Sequence, residues 1–325
     1  MKVLLSGIQP SGNLHIGNYL GAIKQWVELQ KSYRVFISIV DLHAITVPQD
    51  PRELRKNTLE LAALLIACGI DPKKSVLFLQ SHIPAHIELG WILNTLTPVS
   101  ELERMTQFKE KKERAGALAG LLNYPWLQAA DILLYRPDVV PVGEDQLQHL
   151  EFTRTLARKF NNRFGKTFNE PKALIPKETA RIMGLDDPTK KMSKSAPSPN
   201  NYIGLLDSPE EIRRKIKIAV TDSDKEIRYD IKTKPAISNL MTIYSAFSEL
   251  SHGAIEKRYQ NKGYAQFKND LAELLVKKLM PIQQKYRELS RGKKVIKILQ
   301  DGAKKASLVA NKTLLEVKKK VGLLQ

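Results

Sequence analysis

The stretch that sets the fold is residues 3–18, with the sequence VLLSGIQPSGNLHIGN. Its first five residues form a β-rich run, and the apolar residues that follow predict a helix from about Gly17 to Gln30. These apolar residues, at helical spacing, are Ile16, Tyr19, Leu20, Ile23 and Val27. A polar segment between a strand and a helix lies at the carboxyl edge of an open α/β sheet, where ligands bind. The stretch therefore predicts a binding site.

The glycines of this segment match neither the G-x-G-x-x-G dinucleotide fingerprint nor the G-x-x-x-x-G-K-[ST] P-loop. Ordinary dehydrogenases and P-loop nucleotide hydrolases are therefore disfavoured. Gly17 and Gly21 share one face of the predicted helix, so a flat group such as a base could approach the backbone there. Close packing of the helix on the sheet explains the two glycines equally well.

Two further β-rich runs, Val35–Asp41 and Val76–Gln80, alternate with helical patterns. This alternation predicts an α/β fold with a parallel sheet covered by helices. The run at 50–53 (Asp-Pro-Arg-Glu) marks the start of a helix, because it combines a capping carboxylate with a proline in the first position and a glutamate in the third. That helix should end near Gly69, and another should follow Pro84.

The last part of the chain has a helical pattern throughout. A loop at 196–201 is rich in Pro, Ser and Asn, and the run at 208–211 (Ser-Pro-Glu-Glu) then repeats the helix start signal. No convincing strand follows, so a domain boundary is expected near this loop. Short breaks in the helical pattern are expected at Gly253, Gly263, Pro281, Gly292 and Gly302.

The composition is that of an ordinary folded protein. The 325 residues suggest two domains at ~150 residues each, and 42% hydrophobic and 26% charged residues are average values. The single cysteine, Cys68, lies in the apolar run Leu61–Ile70 and should be a buried, inert thiol. That run is shorter than the about 20 residues that span a bilayer, and no secretion signal is evident, so a cytoplasmic protein without membrane insertion is expected.

The charge is less ordinary, with a net value of +18. Residues 251–325 hold 18 Lys and Arg against 6 Asp and Glu, so most of the excess lies in the last quarter of the chain. Such an excess is typical of a surface that binds nucleic acid, and binding to it would weaken with salt. A solvated helical surface is the competing explanation.

The run DPTKKMSKS at 187–195 is a polar loop with three lysines. A loop of this kind can wrap a polyphosphate and supply ammonium charges where negative charge builds up during phosphoryl or nucleotidyl transfer. By composition alone it could equally be a solvated loop.

Together, HIGN at 15–18 and KMSKS at 191–195 resemble the paired signatures of class I aminoacyl-tRNA synthetases. Several further blocks resemble bacterial-type tryptophanyl-tRNA synthetases, namely residues 7–12, 101–111, 129–135, 142–146, 187–195 and 219–222. The resemblance implies a Rossmann-like catalytic domain over 1–200, with signature loops at 9–18 and 191–195. It also implies an all-α, anticodon-binding domain over 201–325 that faces tRNA, and a homodimer.

The resemblance further implies a two-step reaction. The carboxylate of L-tryptophan attacks the α-phosphorus of ATP, pyrophosphate leaves, and the terminal ribose of the cognate tRNA then captures the adenylate. Such transfers depend on positioning and charge stabilisation rather than on a protein nucleophile. Mg²⁺ is expected to bind with the phosphates, because it retains waters and uses phosphate oxygens, and no all-protein metal site is expected.

The resemblance assigns site residues by position. ATP would be bound by Gln9, Pro10, Ser11, Gly17, Asn18, Gly143, Glu144, Asp145, Ile182, Lys191, Met192, Ser193, Lys194 and Ser195. The residues expected to act on the phosphates are His15, Lys111, Lys191 and Lys194. The resemblance is imperfect at two positions, because many bacterial members carry Thr at position 15 and Met at position 128, where this chain has His and Gln.

Asp131 is the residue expected to select the amino acid. It lies in the apolar run at 129–134, where an unpaired carboxylate is costly. A carboxylate accepts hydrogen bonds and an indole N–H donates one, so a ligand without that donor would leave the carboxylate unsatisfied. A helix cap or a buried salt bridge is the competing explanation. Weaker candidates for the tryptophan pocket are Gln146, Tyr124 and His43, of which His43 could equally be a core histidine.

Other functions remain open at this point. Tyrosyl-tRNA synthetases share the fold and the pocket aspartate, and a nucleotidyltransferase that acts without tRNA would share the signature loops. A catalytically silent RNA-binding protein is the alternative outside enzymes. His82 and His86 have the spacing of a metal pair, but Pro84 lies between them and no clustered further ligand is apparent, so structural or surface roles are expected.

Overall fold

The computed structural model describes residues 1–109, 118–175, 181–194, 196–223 and 226–324. Within these ranges the strands form one sheet of order β3-β2-β1-β4-β5, and every neighbouring pair is parallel. The strands are β1 (Val3–Ile8), β2 (Arg34–Ile39), β3 (Ser75–Leu79), β4 (Val139–Pro141) and β5 (Lys172–Leu174). The predicted parallel sheet is confirmed, and the first three strands lie where they were expected.

The sheet is buried on both faces, because successive side chains of each strand enter different hydrophobic cores. One core receives Leu4, Val35, Ile37 and Leu77, and the other receives Leu5, Phe36 and Phe78. This alternation explains why the central strands are apolar at nearly every position. It also requires a layer of helices on each side of the sheet.

The first helical region has the predicted position, although a π-helical segment interrupts it. Helix α1 (Ile16–Asn18) leads into π-helical Tyr19–Ile23 and then into α2 (Lys24–Leu29). The other helices of the sheet region are α3 (Asp41–Ala44), α4 (Pro51–Ala67), α5 (Ala85–Asn94), α6 (Val99–Glu103), α7 (Ala119–Leu133) and α8 (Leu147–Phe164). The remaining described helices are α9 (Pro209–Ile218), α10 (Pro235–Ser248), α11 (His252–Tyr259), α12 (Tyr264–Ser290) and α13 (Lys294–Val321).

The predicted helix starts are confirmed by their caps. The Asp50 carboxylate accepts hydrogen bonds from the backbone N–H groups of Arg52 and Glu53, at 2.8 and 2.9 Å. Ser208 accepts one from the backbone N–H of Glu211 at 3.2 Å. Each cap satisfies backbone donors that have no partner within the helix.

The chain beyond residue 201 is largely helical, as expected, but two predicted breaks are wrong. Pro281 and Gly302 lie inside α12 and α13, whereas Gly253 follows directly on the break between α10 and α11. At Pro281, burial of the neighbouring Leu279 and Ile282 in the first core holds the helix together despite the lost hydrogen bond.

Helix α13 returns to the sheet and lies against its edge strand, β3. Gly302 makes this close approach possible, since a Cβ atom at this position would lie 1.8 Å from the carbonyl oxygen of Leu77. The helix therefore covers one edge of the sheet, and its apolar face completes the second hydrophobic core. The division into domains at 200/201 stays a prediction.

Cys68 is buried, and burial raises the pKa of its thiol to about 12. The predicted burial of this thiol is confirmed, and the raised pKa fits an unreactive thiol. Among the described residues, no helix combines the length and the apolar character that crossing a membrane requires.

Candidate active site

Two of the predicted ATP-binding segments begin at neighbouring strands. The first loop leaves the end of β1 at Ile8, and the segment at 142–146 leaves the end of β4 at Pro141. The strand order changes direction between β1 and β4, because the chain fills the sheet outward from β1 on one side and then on the other. In doubly wound sheets this switch point opens a crevice at the carboxyl ends of the strands. The predicted site therefore lies where the topology favours ligand binding.

The first loop ends in a helix cap made by His15. The backbone N–H of Gly17 donates to His15 Nδ1 at 3.1 Å, and the backbone N–H of His15 donates to Asn18 Oδ1, also at 3.1 Å. Backbone hydrogen bonds to the segment at 203–205 anchor the loop on its other side, at 2.9 and 3.0 Å. The predicted residues Gln9 and Ser11 are exposed, whereas Pro10 is buried.

His15 is neutral at physiological pH. Burial, together with the nearby charges of Lys194 and Lys191, lowers the pKa of its imidazole to about 4. Because Nδ1 accepts a hydrogen bond from Gly17, the single ring proton lies on Nε2. Nε2–H is thus a neutral donor suited to a phosphate oxygen.

The second signature loop lies beside the first. A Cβ atom on Gly12 would lie 3.6 Å from Lys194 Nζ, so this ammonium group is next to the first loop. Met192 is buried in the core, and its backbone N–H donates to the carbonyl of Ile182 at 3.0 Å. In the part of the chain that the structure describes, neither Lys191 nor Lys194 forms an ion pair, so both charges remain available to an anion.

The loop is also held through polar contacts. Backbone N–H of Ser193 donates to Asn201 Oδ1 at 2.8 Å, and Asn201 in turn donates to Asp186.

At the end of β4, a Cβ atom on Gly143 would lie only 2.7 Å from Asp145 Oδ1. Two predicted residues, Lys111 and Ser195, lie outside the described residues, and of Glu144 only the backbone is described, as part of the 3₁₀ turn Glu144–Gln146.

Asp131 is buried at the centre of a polar cluster. His43 Nε2 lies 2.7 Å from its Oδ2, and His86 Nδ1 lies 2.6 Å from its Oδ1. Gln80 Nε2 donates to both oxygens, at 2.8 and 2.9 Å. Burial alone would raise the pKa of this carboxyl, but the hydrogen bonds from His43 and His86 outweigh it and hold the pKa well below its usual range. The carboxylate is therefore ionised.

Two of the predicted pocket residues, Tyr124 and Asp131, share one face of α7 with Gln128. Tyr124, Gln128 and Asp131 are spaced at i, i+4 and i+7, which places them on the same side of the helix. The rings of Tyr124 and His43 meet edge to face, with centroids 6.1 Å apart. Gln128 Nε2 donates to Gln146 Oε1 at 3.4 Å, so the amide that replaces the more usual methionine has a partner.

Comparisons with known proteins agree with this geometry. A family model described as tRNA synthetases class I (W and Y) matches residues 2–280. The chain belongs to this family. A tryptophan–tRNA ligase of Caldanaerobacter subterraneus subsp. tengcongensis is 56% identical over 325 residues, which covers 100% of this chain and 99% of the relative.

Solved structures of the family have the same fold. The crystal structure of tryptophanyl-tRNA synthetase from Mycoplasma pneumoniae superimposes with a TM-score of 0.90 at 42% identity, covering 100% of this chain and 98% of that chain. The Campylobacter jejuni tryptophanyl-tRNA synthetase complexed with ADP and tryptophan gives a TM-score of 0.87 at 39% identity, covering 99% and 100%. The resemblance to class I synthetases, and the Rossmann-like fold that it implied, are confirmed.

The polar cluster around Asp131 includes side chains that the sequence did not single out. Gln80 and Tyr135 were not predicted, and His86 was expected to be structural or on the surface, which its burial does not contradict. His86 is fully buried, with Nδ1 facing Asp131 and Nε2 lying 2.9 Å from the Tyr135 hydroxyl. The only signal in the sequence was that a histidine follows shortly after the end of a strand.

Proposed function

We propose that this synthetase ligates L-tryptophan to its cognate tRNA. The observation that carries the proposal is the buried, ionised Asp131 on a face of α7 that also presents Tyr124. An indole N–H can donate to such a carboxylate, whereas an apolar amino acid would leave it buried without that partner. The tryptophan–tRNA ligase that is 56% identical over the whole chain supports the same substrate.

In the first step, an oxygen of the tryptophan carboxylate forms a bond to the α-phosphorus of ATP. The bond from that phosphorus to the bridging oxygen breaks, and pyrophosphate leaves with the electron pair. Lys194, Lys191 and the Nε2–H of His15 stabilise the charge that develops on the leaving group. These groups are suited to the task because the two loops that carry them adjoin and their lysines have no carboxylate partner among the described residues.

In the second step, a hydroxyl of the terminal ribose of tRNA attacks the carbonyl carbon of the adenylate, and AMP leaves. Positioning is again the main contribution, with the adenylate held by the loops at 9–18 and 142–146. Lys111 and Ser195 stay part of the proposed site by position in the sequence.

Mg²⁺ would bind together with the ATP phosphates. The described part of the phosphate site offers ammonium groups, an imidazole N–H and backbone donors, which suit phosphate oxygens rather than a cation. Phosphate oxygens and waters would therefore supply the metal ligands, in keeping with the preference of Mg²⁺ for oxygen ligands and retained waters.

The cognate tRNA would bind the basic helical region. Some of its charges are used internally, since Lys318 pairs with Glu88 at 2.6 Å and Lys320 donates to the carbonyl of Lys166 at 2.7 Å. Others are exposed along α13, including Lys297, Lys305 and Lys312. Replacing these three by Gln should weaken tRNA binding and flatten its salt dependence, while a flat salt response of the unmodified protein would favour a solvated surface.

The homodimer is proposed on an exposed apolar face. Trp91 is 64% exposed and Ile87 45% exposed on α5, and Val99 at the start of α6 is 60% exposed. A second copy of this chain would bury these side chains. Trp91→Asp should then yield a monomer by light scattering, and a dimer that survives the change would place the interface elsewhere. The bacterial ligase relative is compatible with the proposed cytoplasmic location.

The decisive experiment is ATP–pyrophosphate exchange in the presence of Mg²⁺ with each of the twenty amino acids. Exchange with tryptophan alone is the expected result. Exchange with tyrosine would move the assignment to the sister enzymes, and no exchange with any amino acid would favour the silent RNA-binding alternative.

A further inference from the structure

The Asp131 carboxylate has more hydrogen-bond donors around it than selection of an indole requires. Its Oδ1 faces His86 and Gln80, and its Oδ2 faces His43 and Gln80. An ionised carboxylate only accepts hydrogen bonds, so each of these groups must donate to it. Gln80 Nε2 is shared between the two oxygens, so three donor groups meet a carboxylate that has about four acceptor positions, and one further donor can be accepted from a ligand.

The donors that face Oδ1 are themselves held in place. The Tyr135 hydroxyl lies 2.9 Å from His86 Nε2, and burial together with the Asp131 charge raises the pKa of this phenol, so it keeps its proton. Gln80 Oε1 accepts the backbone N–H of Leu42 at 3.1 Å, which ties the side chain to the start of the helix that carries His43. His86 is completely buried, so water cannot replace either partner.

We propose that His86 and Tyr135 form a positioning relay for tryptophan selection, a deeper feature of the function proposed above. Tyr135 O–H donates to His86 Nε2, which fixes the imidazole in its neutral Nδ1–H form. His86 Nδ1–H then donates to Asp131 Oδ1 and fixes the orientation of the carboxylate toward the indole. Neither residue touches the substrate, and both act through Asp131.

The relay explains how the buried carboxylate stays charged and aligned while the pocket is empty. Before tryptophan binds, a buried carboxylate without donors would take up a proton or turn toward water. A protonated Asp131 could donate to other ligands and would lose its preference for an N–H group. The relay keeps the carboxylate charged and aligned in the empty pocket, so selection does not depend on rearrangement when the ligand arrives.

The test compares the affinity for L-tryptophan with that for its benzothienyl analogue, in which sulfur replaces the indole N–H, by calorimetry without ATP. His86→Leu removes both ring nitrogens and should lower the preference for tryptophan by about tenfold, the effect of one hydrogen bond to a charged group. His86→Asn keeps a donor near the Nδ1 position and should restore most of the preference. Tyr135→Phe should lower it by a smaller factor, because Nδ1 is then protonated only part of the time.

Tyr244→Phe is the matched control, since it removes a buried hydroxyl that contacts Tyr259 in the helical region. Its preference and its ATP affinity should equal those of the unmodified protein. An unchanged preference in His86→Leu with intact ATP binding would overturn the relay. So would an equal loss of affinity for both ligands, which would indicate a merely structural role. If His86→Leu fails to fold, Tyr135→Phe decides by the same criterion.

A spectroscopic measurement separates the relay from the proposed function. In the ligand-free protein, ¹⁵N chemical shifts should show His86 protonated at Nδ1 and unprotonated at Nε2, and Tyr135→Phe should mix the two forms. The opposite tautomer would overturn the relay even if tryptophan is the substrate. Failure of the unmodified protein to bind tryptophan would instead overturn the proposed function.

Discussion

Gly302→Ala is predicted to destabilise the protein, although alanine favours helices. The added Cβ would lie 1.8 Å from the Leu77 carbonyl oxygen and 2.8 Å from its carbon, whereas nonbonded carbon atoms prefer about 3.5–4.0 Å. The contact is with backbone in β3, which is paired with β2 and cannot rotate away. Helix α13 must therefore move outward and loosen the core that it completes.

The size of the effect follows from two opposing contributions. Overpacking of a core costs about 1–3 kcal/mol, and a contact with rigid backbone should lie at the upper end of that range. Alanine in place of glycine within a helix gains about 1 kcal/mol. We therefore expect a net loss of about 2 kcal/mol in the free energy of unfolding.

The assay is urea denaturation followed by circular dichroism, with Gly253→Ala as the matched control. Gly253 also lies in a helix, α11, but a Cβ there would meet no atom within 4 Å. The control should be as stable as the unmodified protein or slightly more stable. If both variants behave alike, the close approach of α13 to β3 does not limit stability, and the argument from Gly302 is refuted.

Three further predictions concern the site. Lys194→Ala should slow tryptophan-dependent pyrophosphate exchange by at least tenfold, because the Lys194 charge matters as pyrophosphate forms. The affinity for tryptophan, measured by calorimetry, should stay unchanged. Equal losses in exchange rate and in affinity would contradict that role. Asp131→Ala should weaken tryptophan binding by about tenfold or more and abolish the preference for an N–H group, and a preserved preference would remove Asp131 from the pocket. In the folded protein the pKa of His15 is about 4, below its ordinary 6.5, so between these pH values the unfolded chain binds more protons than the folded one. The contribution of His15 to the free energy of unfolding should therefore be fully present above pH 6.5 and be lost as the pH drops toward 4. His15→Asn should show a smaller fall in urea midpoints across this window, and a fall equal to that of the unmodified protein would contradict the assignment.

Local signals in the sequence were sufficient for much of the fold. The caps at Asp50 and Ser208 act within three residues, so the sequence alone predicts where those helices start. Strands β4 and β5 were missed because three residues are too short to show a period of two. The return of α13 to the sheet depends on Gly302 meeting Leu77, a contact between distant parts of the chain that leaves no local pattern.

In the candidate site, too, local signals could be predicted from the sequence, whereas contacts between distant residues could not. Asp131 could be predicted because a carboxylate in an apolar run is conspicuous by itself. Its partners could not, since Gln80 and His86 lie 51 and 45 residues away in the chain and carry no pattern of their own. His82 and His86 look alike in the sequence, yet His82 is exposed and His86 is completely buried. Only the packing of α5 against α7 separates their roles.

The two halves of the site place their charges in opposite ways. The Asp131 carboxylate, which would select tryptophan, is held by donors from three different elements, namely His43, Gln80 and His86. All three contacts are buried. The cations that would act on ATP sit on a loop, without carboxylate partners among the described residues. Selection between similar ligands needs a rigid acceptor, because a misplaced carboxylate loses its discrimination. Stabilising a leaving group needs charges that can follow it, so free ammonium groups on a loop suit that step.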